Sequence, residues 1–96
     1  MRVVAGDGVG TWGEEVYFDV PVQADREEGA TDSVEPGTVC YWLAGAALAL
    51  PFGATPLSRG VESRLASAAN VLGRVEGDHR ALAAVRDGDT VRVDRA

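Results

Sequence analysis

Apolar and polar side chains alternate between positions 14 and 20, and this alternation is the first clear structural signal in the chain. One set consists of Val16, Phe18 and Val20, and the other of Glu15, Tyr17 and Asp19. Because successive side chains of a strand point to opposite faces, the pattern predicts a half-buried β-strand. Pro21 follows it, at a position where a missing N–H does little harm.

Two further apolar runs predict a β-hairpin. The run 39–43 (V-C-Y-W-L) is rich in β-branched and aromatic residues, and the run 47–50 (A-L-A-L) follows a break at Ala44 and Gly45. A helix across 43–50 is the competing interpretation, because Ala and Leu favour helices. We favour two strands, since Gly45 and Pro51 leave too few residues between them for a stable helix.

The C-terminal half predicts two more strands. Residues 69–75 (A-N-V-L-G-R-V) have strand character, with Gly73 marking a bulge or a close packing contact, and residues 90–93 form a last strand. The intervening stretches are rich in Gly, Pro and polar residues and predict loops: 1–13, 23–38 and 53–67. Pro36 and Gly37 predict a type II turn inside the second of these loops.

A short helix is predicted over residues 79–87. Asp78 is suited to cap its N-terminus, Leu82 and Val85 supply apolar contacts, and Gly88 is suited to end it. Five strands and one short helix indicate a mostly β fold, which we expect to be a closed or partly closed β-barrel. At 96 residues, the chain holds one core and therefore one domain, 1–96.

Charge narrows the classes of partner. The net charge is −6, from nine arginines against fifteen acidic residues, with no lysine. An acidic chain with scattered arginines lacks the clustered basic face that nucleic acid requires, so we expect no nucleic-acid partner. The lysine-free, acid-rich composition fits a GC-rich genome, and we interpret it as adaptation to the high-salt cytoplasm of a halophilic archaeon; a GC-rich bacterium is the alternative.

Metal, cofactor and membrane roles have little support. Cys40 is the single cysteine and His79 the single histidine, so neither an intrachain disulfide nor a multi-ligand zinc set is expected, and no cofactor is predicted. Ser58 and Ser63 have only His79 as a possible general base, without a third group at a recognisable spacing, so nucleophilic catalysis by these serines is not expected. The first ten residues contain no apolar signal core, and the longest apolar run, 39–52, is interrupted and short. We expect a cytoplasmic protein without a membrane segment.

The aromatic residues are concentrated in the first half of the chain, between positions 12 and 52. Tyr17 is next to Phe18 and Tyr41 is next to Trp42, so each strand sends a ring to both of its faces. One set of rings is expected to fill the core, and the other to line a groove for a peptide or a flat small molecule. The alternative is that loops cover both sets.

The two neighbouring carboxylates, Glu14 and Glu15, are expected to point to opposite faces of the strand. They therefore do not form a catalytic pair. One of them is a candidate for partial burial with hydrogen bonds to loop amides, and solvated carboxylates are the alternative.

Four sequence strings together carry a family resemblance. They are 11–18 (T-W-G-E-E-V-Y-F), 39–48 (V-C-Y-W-L-A-G-A-A-L), 52–56 (F-G-A-T-P) and 69–73 (A-N-V-L-G). In this order they resemble the small prokaryotic cyclophilin-like proteins, a family of unknown function. The resemblance implies a cyclophilin-like closed β-barrel with a short helix, and a groove near the loop 52–56.

The family usually has a further strand pair and a helix before the W-G-E-E string, whereas only eleven residues precede Trp12 here. Either the coding sequence extends upstream or the barrel lacks its first elements. In the second case, exposed strand edges need covering by a loop or a second chain, which makes a homo-oligomer a candidate state.

The predicted function is that of a non-catalytic binding module with an aromatic groove for a peptide or small ligand. The candidate ligand-binding residues are Trp12, Glu15, Tyr17, Tyr41, Trp42, Phe52, Thr55 and Pro56. Glu15 would orient a polar group of the ligand while the rings stack or pack on it. No catalytic residues are predicted.

Two other functions remain open. True cyclophilins are peptidyl-prolyl cis-trans isomerases, which combine an apolar proline pocket with an arginine. Arg59, Arg64 and Arg74 are available here, but none sits beside an aromatic residue in the sequence. The other alternative is a structural or interaction subunit without a ligand, which predicts a surface without a deep aromatic groove.

Overall fold

The computed structural model describes residues 4–6 and 8–93. The strands in chain order are β1 (Val4–Gly6), β2 (Gly10–Thr11), β3 (Glu15–Asp19), β4 (Thr31–Val34), β5 (Thr38–Trp42), β6 (Ala47–Pro51), β7 (Ser63–Arg74) and β8 (Val91–Val93). A 3-10 helix, His79–Ala84, lies between β7 and β8. All strand pairs are antiparallel; β1 pairs with β8, and the other six form one sheet in the order β2-β3-β6-β5-β7-β4.

The predicted mostly β fold with one short helix is confirmed, but the six-stranded sheet is not closed. In the described part of the chain, β2 and β4 lie at opposite ends of the strand order and do not pair with each other. Of the two predicted alternatives, a closed or a partly closed barrel, the fully closed one is not formed by the described strands.

The long strand β7 allows the sheet to fold back over itself. Its residues 63–69 pair with β4, and its residues 69–74 pair with β5. The register places Val39 opposite Gly73 and Cys40 opposite Val71, so one extra residue bulges on β7 beside Gly73, as predicted. A bulge bends and twists its strand, which suits a strand that serves two neighbours.

All three of the predicted loops contain strands. The region 23–38 includes β4, whose sequence (T-D-S-V) is polar because an edge strand buries little. The region 53–67 includes the first part of β7, where buried Ser63 and Leu65 alternate with more exposed neighbours. The predicted loop 1–13 similarly holds β1 and β2. Small and polar residues hide these strands from a pattern search based on β-branched and aromatic side chains.

Strands β6 and β5 are covered on both faces, whereas Tyr17 and Asp19 leave one face of β3 partly exposed. One face carries the larger apolar cluster, which includes Val16, Phe18, Leu48 and Leu50. The opposite face carries a smaller cluster: Val34, Cys40, Ala49, Leu65 and Ala69, with Trp42 packed against it. Burial of both faces explains why all five residues of β6 are buried.

The predicted hairpin between β5 and β6 is confirmed, and the competing helix does not form. Trp42 pairs with Ala47, and the four residues between them make the turn. Ala46 takes a left-handed backbone conformation with φ of 49° in this turn. The turn at Pro36 and Gly37 also agrees with the prediction, because Gly37 has φ of 92°.

The helix begins where it was predicted and ends earlier. The Asp78 carboxylate accepts a hydrogen bond from the Arg80 backbone N–H at 2.9 Å and so caps the N-terminus. Leu82 and Val85 pack against the larger cluster, as predicted. The helix ends at Ala84, and the chain is already extended at Val85. Gly88 belongs to the following turn, where its N–H donates to the carbonyl of Val9 at 2.9 Å.

No helix in the described part of the chain is both long and apolar enough to cross a membrane.

Two buried polar side chains hold the polar segment between β3 and β4. The Tyr41 hydroxyl donates to the Val22 carbonyl at 2.6 Å and accepts from the Ala24 N–H at 3.2 Å. Asn70, opposite Tyr41 in the β5–β7 ladder, accepts from the Glu27 N–H at 2.8 Å through Oδ1. Its Nδ2 donates to the carbonyl of Asp25 at 2.8 Å. The Tyr41 and Asn70 side chains thus supply hydrogen bonds to this segment's backbone that a neighbouring strand would otherwise supply.

Replacement of Asn70 by Ala is expected to lower the free energy of unfolding by about 2 kcal/mol, because Asn70 is 2% exposed and its loss leaves the Glu27 N–H and the Asp25 carbonyl without partners. Urea unfolding measures this difference. The control is Leu72→Ala on the same strand, a side chain 40% exposed, which is expected to change stability much less. Equal effects for the two variants would contradict the clamping role of Asn70.

Candidate functional site

A cavity of about 220 Å³ opens on the sheet face that carries the smaller apolar cluster. Three aromatic rings line it, those of Trp12, Tyr17 and Trp42. Its aliphatic wall is formed by Ala49, Leu65 and Ala66, and its one carboxyl group is that of Glu15. We call this cavity the Glu15 pocket.

Strand register brings most of the pocket lining together. Glu15 and Tyr17 are two residues apart on β3 and therefore share a face. Tyr17 is opposite Ala49 of β6, which is opposite Cys40 of β5, two residues before Trp42. The first half of β7 supplies the opposite wall, and the turn between β2 and β3 supplies Trp12.

Two glycines allow the rings to lie flat against the backbone. Gly10 pairs with Tyr17, and a Cβ at Gly10 would lie 2.5 Å from the Tyr17 ring. A Cβ at Gly45 would likewise overlap the Trp42 ring. The Trp42 indole is also fixed by its Nε1–H, which donates to the Ser67 hydroxyl at 2.8 Å. The pocket is thus largely preformed.

Glu15 is the anomalous residue of the pocket. Its side chain is 6% exposed, and its Oε1 is buried without a hydrogen-bond partner among the described residues. Burial disfavours the charged form and raises the pKa of Glu15 to about 7. The carboxyl group is therefore close to half protonated at neutral pH and able to donate or accept a hydrogen bond.

Cys40 lies behind the pocket and is not a nucleophile. Its side chain is buried, and burial, together with the negative charge of Glu15, raises the pKa of the thiol to about 12. Because the thiolate is the reactive form, the neutral Cys40 acts as a small core residue, in agreement with the sequence-based interpretation.

Glu14 and Glu15 have opposite environments, as the strand geometry predicts. Glu14 points away from the pocket, where Oε2 is 2.9 Å from Nη2 of Arg80 and Oε1 accepts from the Ala54 N–H at 3.1 Å. The hydrogen bonds from Arg80 and then Ala54 lower the pKa of Glu14. Glu14 is thus partly buried and bonds a loop amide, which agrees with the expectation for one of the two glutamates.

The structure separates the eight candidate residues into three groups. Trp12, Glu15, Tyr17 and Trp42 come together in the pocket. Tyr41 and Phe52 belong to the larger cluster on the opposite sheet face. The expected aromatic groove therefore forms on one face only, and it does not extend to the loop 52–56.

The last two candidates have structural contacts in that loop. Thr55 is buried; its hydroxyl donates to the carbonyl of Arg64 and lies 3.3 Å from the Ser58 hydroxyl. Pro56 is exposed and its Cδ lies 2.8 Å from where a Cβ of Gly13 would be. Their contacts serve to hold the loop.

Sequence reasoning missed three lining residues and one long-range contact. Ala49, Leu65 and Ala66 carry no chemical signal, and the last two lie in a region predicted to be a loop. The contact is that of Arg80, whose guanidinium lies 5.3 Å from the centroid of the Phe52 ring and donates to the Phe52 carbonyl at 3.1 Å. These residues are 28 positions apart, so only the fold brings them together.

Within the described ranges, no group of three or more His, Cys, Asp or Glu side chains is arranged to hold a metal ion. The pocket therefore offers rings and one carboxyl group as its chemistry.

Comparison with known proteins identifies relatives of this chain. A family model described as cyclophilin-like matches residues 6–94. The solution structure of the hypothetical protein AF2241 from Archaeoglobus fulgidus is 40% identical in sequence, with a TM-score of 0.75. The alignment covers 99% of this chain and 71% of that one. A search of curated proteins finds no match.

The two glutamates are expected to affect stability with opposite dependence on pH. The raised pKa of Glu15 means that the folded state binds the extra proton between pH 4.5 and about 7, so stability falls as pH rises through this window, by about 3 kcal/mol in total. Glu15→Gln removes this loss, and urea unfolding of variant and wild type across the window measures it.

Glu14→Gln is the matched control for this prediction. Because the pKa of Glu14 is lowered, its contribution to stability is present above pH 4.5 and is lost as pH falls through the folded-state pKa. The difference between wild type and Glu14→Gln should therefore stay constant between pH 4.5 and 7. A flat profile for the Glu15 difference in the same window would show that Glu15 is solvated.

Proposed function

We propose that this protein, which belongs to the cyclophilin-like family, is a non-catalytic binding module that takes a small organic ligand into the Glu15 pocket. The observation that carries the proposal is Glu15, which lines an apolar, ring-walled cavity and whose buried Oε1 has no hydrogen-bond partner in the described part of the chain. A ligand that hydrogen-bonds to Glu15 would complete this site.

The cost of leaving Glu15 unpartnered supports a binding role. A buried polar group without a partner destabilises the fold by about 1–3 kcal/mol, and more if it is charged, so such groups are rare in stable domains. An apolar residue at the same position would pack without this cost. A carboxyl group held there is therefore explained by a partner that arrives from outside.

The dimensions of the pocket set the size of the ligand. A cavity of about 220 Å³ has the volume of about seven liquid waters and is smaller than the usual range for drug-sized ligands, which begins near 300 Å³. It suits a single ring with a short polar arm. Trp12, Tyr17 and Trp42 offer flat apolar surfaces to such a ring.

Peptidyl-prolyl isomerisation has less support from this geometry. The described pocket lining contains no arginine to act on the twisting imide. Arg80 does contact the Phe52 ring, but its guanidinium is paired with Glu14 and the Phe52 carbonyl, outside the pocket lining. A purely structural role is also less favoured, because it predicts a surface without an aromatic cavity.

Tryptophan fluorescence tests the binding role directly. The chain contains two tryptophans, and both line the pocket, so the intrinsic signal reports on this site. Titration with a library of single-ring fragments is expected to produce a saturable change in the wild type. In Ala49→Leu the change should be lost, because Ala49 lines the cavity opposite Tyr17 and the longer side chain there occupies part of it.

Ala81→Leu, an exposed alanine of the 3-10 helix outside the pocket lining, is the control and should bind like the wild type. Circular dichroism confirms that both variants are folded. A library that gives no saturable change in the folded wild type, or equal binding in Ala49→Leu, would contradict the proposal.

A further inference from the structure

The charge of the pocket lining limits the ligand's charge. Glu15 is the one acidic side chain in the described lining, and no arginine or histidine lines the cavity beside it. The titratable groups facing Glu15 are Tyr17 on its own strand and Cys40 on β5, both without positive charge. The lining residues from β6 and β7 are aliphatic. An anionic ligand would thus meet only a like charge.

The neighbouring rings distinguish a cation from a neutral hydrogen-bond donor. Trp12, Tyr17 and Trp42 line the same cavity as the carboxylate, and aromatic faces attract cations through their quadrupoles. A neutral donor gains only a hydrogen bond to the Glu15 carboxylate. A cation also gains the opposite charge of a largely buried carboxylate, where charge interactions are stronger than in water.

The whole chain favours the same sign of charge. Its net charge is −6, which raises the local concentration of cations and speeds their encounter with the surface. This effect is weak at high ionic strength, so the pocket itself must supply the selectivity.

We propose that the Glu15 pocket selects small organic cations, namely primary or secondary amines with an apolar ring, whose ammonium N–H group bonds to Glu15 while the ring packs on Trp12, Tyr17 and Trp42. This inference rests on the proposed function and adds the chemical class of the ligand. Binding is reversible and forms no covalent bond.

Three probes with one ring in common test this selectivity. Benzylamine, benzyl alcohol and benzoate differ in charge at nearly constant size, and fluorescence or calorimetric titration measures their affinities. At about pH 8 benzylamine is expected to bind at least about ten-fold more tightly than benzyl alcohol, and benzoate more weakly than either.

Variants locate the charge that is responsible. Glu15→Gln should reduce benzylamine affinity to that of benzyl alcohol, with alcohol binding nearly unchanged. Glu14→Gln removes a carboxylate that is outside the pocket lining and paired with Arg80, and it should keep the preference for the amine. The net charge changes equally in both variants, so only the position of the charge differs.

The pH profile gives a second readout. The pKa of Glu15, about 7 in the free protein, means that about 3% of the group is ionised at about pH 5.5 and about 90% at about pH 8. Benzylamine affinity should therefore increase roughly thirty-fold over this range. The affinity of benzyl alcohol should not show this increase.

Each failure has its own meaning. Equal affinities for benzylamine and benzyl alcohol, with both lost in Ala49→Leu, would overturn the cation inference and leave the proposed function standing. Unchanged amine binding in folded Glu15→Gln would also overturn it. No binding of any probe to the wild type would overturn the inference and the proposed function together.

Discussion

The structure depends on burying both faces of two central strands, β6 and β5. These strands need a cover on each side of the sheet, so the 3-10 helix and β8 pack on one side and the first half of β7 packs on the other. β7 serves both purposes because its second half continues the sheet beside β5 while its first half pairs with β4. Between Arg64 and Ala69, where β7 passes from β4 to β5, its register with β4 shifts, and this irregularity provides the bend that the double role requires.

The candidate site follows from the same requirement. The cover that β7 provides is incomplete, and the remaining space next to Ala49 and Leu65 is the pocket. Strand alternation directs Glu15 into this space and Tyr17 to its rim, whereas Glu14 lies in the preceding turn and reaches Arg80. Two adjacent carboxyl groups therefore acquire pKa values shifted in opposite directions, one by burial and one by hydrogen bonds.

Membership of the cyclophilin-like family establishes the fold more firmly than the activity. The resemblance carried by the W-G-E-E and Y-W strings is confirmed by the family model over residues 6–94. The expected groove beside the loop 52–56 is not where the structure forms its ring-lined cavity. Phe52 instead packs in the larger cluster, with Arg80 over its ring and Glu14 neutralising that arginine. An Arg–Phe contact thus exists in this chain, but as part of the structural packing.

What the sequence by itself determined is the local geometry. Alternation identified β3, a break at Gly45 identified the β5–β6 hairpin, and both placed Trp42 and Tyr41 on opposite faces. Such features depend on neighbouring residues and can be recognised in a short window. Only the tertiary structure decided which face became the pocket. That choice depended on β4 and the first half of β7, which consist of polar or small residues. Their pairing partners lie up to 38 positions away along the chain. Strand pairing and burial over such distances are set by the packing of the whole chain and leave no periodic signal in either segment.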